Sequence, residues 1–113
     1  MEIKSLSEYQ EFSETSFKKQ IIFQKQESVV FKLNFMPGQA LPLHKHPGTQ
    51  VYLLVLEGVG EVQLEEEKKK VTTGDVIHVD GDELFAFANT GDTKTSLYVF
   101  LNKIPDERYA KNI

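Results

Sequence analysis

The sequence predicts an all-β sandwich or barrel, and period-two alternation, apolar β-rich runs and closely spaced turns carry that expectation. Phe31, Leu33 and Phe35 alternate with Lys32 and Asn34, the pattern of a strand with one face buried. Met36-Pro37-Gly38 ends this run. Val51 to Leu56 is apolar on both faces and reads as a central strand closed by Glu57-Gly58. Val62 and Leu64 then alternate with Glu61, Gln63 and Glu65. Turn signals recur at Thr72-Thr73-Gly74-Asp75, Asp80-Gly81-Asp82 and Asn89-Thr90-Gly91-Asp92. They precede the runs Val76–Val79, Phe85–Ala88 and Ser96–Leu101 in that order. Short strands punctuated this closely indicate an all-β architecture.

The ends of the chain read differently. Leu6, Tyr9 and Phe12 share a three-residue spacing behind Ser5, with Glu8 placed to complete a capping box, which predicts a short amphipathic helix. Ile21, Ile22 and Phe23 form an apolar strand suited to pairing across subunits. The organisation is then an N-terminal segment over 1–28, a barrel over 29–103 and a polar tail over 104–113, with Tyr109 and Ile113 as its apolar anchors. Glu65 to Lys70 reads as the solvated tip of a hairpin joining Leu64 to Val71.

Composition narrows the function classes. At 113 residues, 40% hydrophobic and 27% charged, the chain suits one globular domain. A net charge of −4 argues against a nucleic-acid-binding surface, which needs clustered positive charge. The absence of Cys excludes disulfides, thiolate metal sites and cysteine nucleophiles. The longest apolar run, Val51–Leu56, is too short to cross a bilayer, and the first residues lack a signal-like apolar segment. A soluble, cytoplasmic protein without membrane or nucleic-acid partners is the expectation. No G-x-S-x-G elbow, phosphate loop or dinucleotide fingerprint is present.

The chemistry-bearing stretch is Gly38 to Gln50. Residues two apart on a strand share a face with Cα atoms about 6.6 Å apart, so His44 and His46 can aim at one point. Neutral imidazole is a common ligand of divalent transition metals, and the Gln50 amide oxygen can add a neutral third ligand. Tyr52 shares the face of Gln50 on a regular strand. The plainer alternative is a pair of half-exposed strand histidines. Asp75, Asp80, Asp82 and Glu83 cluster where turns favour acidic residues for local hydrogen bonding, which accounts for them without a site.

The wider pattern resembles the cupin superfamily, whose first motif reads G-x5-H-x-H-x3or4-E-x6-G. Here Gly38, five residues, His44, Lys45, His46, three residues, Gln50, seven residues and Gly58 stand in that order. The second motif reads G-x5-P-x-G-x2-H-x3-N, and this chain supplies Gly74, Asp80 for proline, Gly81, Asp82 for glycine, Phe85 for histidine, and Asn89. The resemblance spans about residues 29 to 103. It implies a double-stranded β-helix (jelly-roll) barrel, preceded here by the short helical or extended segment, a homodimer, and a divalent-metal site of His44, His46 and Gln50 lacking the fourth ligand at Phe85. Zn, Ni, Fe or Mn are the metals such a site would take. Phe35, Tyr52, Phe85 and Phe87 are the expected walls of a small-molecule pocket, Phe31 and Leu33 are expected in plain core, and His78 is expected to face away. Two functions stay open. One is a metal-dependent enzyme of oxygenase, isomerase, lyase or cyclase class; the other is a non-catalytic sensor or storage protein for a small apolar or aromatic ligand.

Overall fold

A computed structural model of the chain describes residues 1–103. The tail with Tyr109 and Ile113 lies outside the described residues. Nine strands follow one 3₁₀ turn, Leu6–Glu8: β1 Lys18–Lys25, β2 Ser28–Phe35, β3 Ala40–His44, β4 Thr49–Glu57, β5 Val59–Leu64, β6 Glu67–Thr72, β7 Val76–Asp80, β8 Phe85–Ala88 and β9 Thr95–Lys103. They form a five-stranded sheet in the order β1-β2-β9-β4-β7 and a four-stranded sheet in the order β3-β8-β5-β6. Every pairing is antiparallel. This is the all-β double-stranded β-helix expected from the sequence. No helix among the described residues is long and apolar enough to cross a membrane.

The two sheets enclose a core of Phe31, Leu33, Phe35, Val51, Leu53, Val55, Val62, Val79, Phe85, Phe87, Leu97 and Val99. Inward residues alternate along β2, β4 and β9, because successive side chains on a strand point to opposite faces. Asn89, the last residue of the second motif, is buried and structural. Its Nδ2 donates to the carbonyls of Phe35 (3.2 Å) and Thr93 (2.8 Å), and its Oδ1 accepts from the Gly91 N–H at 3.0 Å. One side chain thus fastens the β8–β9 turn to the end of β2.

The N-terminal region departs from expectation in two ways. First, the helix stops after a single turn. Glu8 does reach back to the Ser5 N–H at 3.3 Å, but the Ser5 hydroxyl bonds Ser7. The Tyr9 and Glu11 carbonyls accept from Asn34 Nδ2 at 3.0 and 2.9 Å, so they are taken up by β2 rather than by a growing helix. This extended arm covers the outer face of β2 at Asn34, which explains why Asn34 is buried on the side that alternation marks as exposed. Second, Ile21, Ile22 and Phe23 belong to β1, which pairs with β2 of its own chain around a bulge between Ile21 and Phe23. The boundary at residue 28 therefore falls inside a hairpin.

The charged run is also more ordered than a loop tip. Only Glu65-Glu66 turns, with Glu65 at φ 29°, while Glu67 to Lys70 belong to the edge strand β6. Charges along an edge oppose unwanted pairing with another sheet.

Candidate functional site

The barrel interior is filled at one end and open at the other. At the filled end the Phe35 ring lies 5.2 Å from that of Phe87 and 5.4 Å from that of Phe17, centroid to centroid. At the open end lies a cavity of about 240 Å³. Its wall is apolar, from Phe31, Leu33, Val51, Leu53, Phe85 and Val99, and its polar members are Lys19, His44 and His46.

Local backbone chemistry places both histidines. His44 ends β3, opposite Phe85 of β8 in the sheet register, with its ring 4.5 Å from the Phe85 ring. His44 Nδ1 lies 2.7 Å from the Pro42 carbonyl. A carbonyl only accepts, so Nδ1 donates and the neutral ring keeps its lone pair on Nε2. His46 sits in the loop between β3 and β4. Its N–H donates to the Gly81 carbonyl at 2.8 Å, and its own carbonyl accepts from the Thr49 N–H at 3.1 Å. A Cβ at position 81 would strike the Thr49 and His46 carbonyls, so Gly81 is a positioning residue for the His46 loop. The two imidazoles meet edge to face with centroids 4.9 Å apart. Burial, the nearby His44 and the Lys19 ammonium together hold His46 below the ordinary imidazole pKa, favouring its neutral form.

Gln50 does not join them. Along β4 the buried positions are Thr49, Val51, Leu53 and Val55, so Gln50 and Tyr52 project from the other face. Gln50 Oε1 bonds His78 Nε2 there. Tyr52 is 39% exposed, with its ring 5.1 Å from that of His78 and 6.0 Å from that of Phe100. Gln50 and Tyr52 do share a face, as strand geometry requires, but it is the outer one. The run Val51–Leu56 is apolar at both parities, and that hid which side faces in. Motif spacing carried the missing signal: with four residues after His46 the ligand position is Val51, and six residues then separate it from Gly58. Val51 is fully buried against the cavity.

The expected pocket walls also divide. Phe85 lines the cavity, whereas Phe35 and Phe87 fill the opposite end and Tyr52 lies outside. Phe31 and Leu33 are core residues that also wall the cavity. His78 faces away from it, as expected.

Residues 31–101 match the cupin domain family model. The chain belongs to the cupin family. Solved structures with this fold include the TT1209 protein of Thermus thermophilus, at 25% identity and TM-score 0.86, covering 93% of this chain and 100% of that one. An uncharacterized conserved protein with a double-stranded β-helix domain from Klebsiella pneumoniae has 21% identity and TM-score 0.85, covering 91% of this cupin and 90% of its own chain. The cupin domain of Schizosaccharomyces pombe Cnp3 has 16% identity and TM-score 0.78, with 86% and 72% covered. No curated protein sequence matches the chain.

Cupins often bind divalent metals, and this one can be tested against that property. His44 and His46 share the cavity with Val51 and Phe85. Neither valine nor phenylalanine has a lone pair to donate. Among the described residues no three His, Cys, Asp or Glu side chains form a group that could hold a metal ion. The residues do not fit the family's metal centre.

Proposed function

We propose that this cupin binds a small apolar or aromatic molecule in the open end of its barrel, without a metal. The composition of the cavity wall carries this reading: a cavity of about 240 Å³ is walled mostly by hydrocarbon and aromatic side chains. Concave apolar sites with few polar groups are the usual form of small-molecule pockets. The metal-dependent enzyme reading loses both Gln50 as a ligand and Tyr52 as a base, since each lies on the outer face of β4. Binding rather than turnover is therefore the favoured role, as a sensor or storage protein.

The test is a titration with indole followed by amide NMR shifts. Shifts confined to residues around Val51, Phe85 and Val99, and lost in Leu41→Trp, which inserts bulk at the cavity wall, are the expected result. Shifts centred on Tyr52 and Phe100, or none at millimolar indole, would refute the reading.

A homodimer remains part of this proposal. The outer face of the five-stranded sheet presents Tyr52, Val76 at 73% exposure, and the partly exposed Tyr98 and Phe100 as a joined apolar surface, which a second copy would cover. Light scattering at twice the chain mass is expected, and the single-chain mass would overturn it.

A further inference from the structure

We infer that the ligand is a small hydrophobic acid, held with its apolar body among Phe31, Val51 and Phe85 and its carboxylate paired with Lys19. This rests on the cavity being a ligand site, and it goes further by fixing the chemistry of the ligand's polar end.

Charge is distributed unevenly over the cavity. All three ionisable residues that line it are basic, and none is a carboxylate. This occurs in a chain whose net charge is −4, so the sign of the pocket opposes that of the molecule. Lys19 belongs to the inner face of β1, opposite Leu33 in the register, and its ammonium lies 4.4 Å from the centroid of the Phe31 ring. A hydrocarbon stem and a cation–π contact thus steer the charged head over an aromatic wall of the cavity. His44 has already committed Nδ1 to the Pro42 carbonyl, which leaves Nε2 as its ring atom for a ligand. Lys19 carries the positive charge at this apolar wall, and a carboxylate is the ligand group that pairs with an ammonium.

Competing ligand classes fit less well. A neutral aromatic would leave the Lys19 ammonium without an anion, and an organic cation would meet like charge. A phosphate ester carries more charge and hydration than this mostly hydrocarbon wall can replace. A monocarboxylate on a phenyl or short aliphatic body matches both the volume and the polarity.

The experiment uses an isosteric pair, phenylacetate and phenylacetamide, titrated by calorimetry into the full-length protein at low salt. The inference predicts that both bind and that phenylacetate binds about tenfold tighter, the strength of one added charge-assisted hydrogen bond. Lys19→Met should remove most of that preference, and Lys19→Arg should restore it. Equal affinities for the two compounds, or an acid preference untouched in Lys19→Met, would overturn the acid inference while leaving the apolar-ligand reading intact. Binding of neither compound would refute both.

Discussion

The two ends of the barrel interior are built from the same strands and put to opposite uses. β2 supplies Phe35 to the filled end and Phe31 to the open one, β4 supplies Val55 and Val51, and β8 supplies Phe87 and Phe85. At the filled end three Phe rings pack together, and Gly60 lets the Phe87 ring lie where a Cβ would collide with it. At the open end Val51 and Phe85 stand beside His44 and His46, and side chains stop short of filling the space. The difference shows how one fold separates stability from binding. Dense packing at one end supports an open, apolar volume at the other, in keeping with sites being grafted onto folds.

Truncating matched residues at the two ends should break or sharpen this contrast most strongly. Phe87→Ala is expected to cost about 3–5 kcal/mol in urea denaturation, because the void opens among fully packed neighbours. Phe85→Ala borders an existing cavity and should cost roughly 1–2 kcal/mol less, while weakening indole binding. Equal losses would mean that the open end is packed as tightly as the filled one.

A second prediction concerns the ligand positions. Val51→Glu combined with Phe85→His should convert the open end into a metal centre, raising bound Zn from below about 0.1 to about one equivalent after dialysis. Gln50→Glu should leave metal content unchanged, since that side chain faces His78 on the outer surface. Metal uptake by the Gln50 variant would reverse the assignment of faces.

Smaller effects are expected from single changes elsewhere. Tyr52→Ala in monomeric conditions should shift stability by about 0.5–1 kcal/mol and leave indole binding intact, as for a half-exposed surface residue. Lys19→Met should raise the His46 pKa, because it removes one of the causes holding it down; NMR titration of the ring protons reads this directly. His46 is depressed in the folded state, so acid favours the unfolded chain as pH falls through the ordinary imidazole range near ~6.5. That loss of stability on acidification should be shallower in Lys19→Met.

Much of this architecture was legible in the residues. Alternation in Phe31-Lys32-Leu33-Asn34-Phe35 marked the inner face of β2, and the Gly and Asp turns marked where successive strands end. His44 and His46 were read as a pair from strand geometry, and their rings do meet, although His46 sits in the loop after β3 rather than on the strand. The face of β4 was not readable, since Val51 to Leu56 offers apolar side chains to both sides and a one-residue change of register inverts inside and outside. Lys19 was missed for a different reason. It lies far from the histidines in sequence, and only the pairing of β1 with β2 brings it to the cavity. The arm that buries Asn34 was equally hidden, because its contacts are backbone carbonyls that no side-chain pattern reveals.

The metal stoichiometry of the untagged wild-type protein, after exposure to excess Zn, Ni, Fe or Mn and removal of loosely held ions, weighs most directly on the claim that Val51 and Phe85 have turned a metal centre into an apolar pocket. Less than about a tenth of an equivalent of any of the four is the predicted result. A full equivalent retained by the wild type and lost in His46→Ala would contradict it.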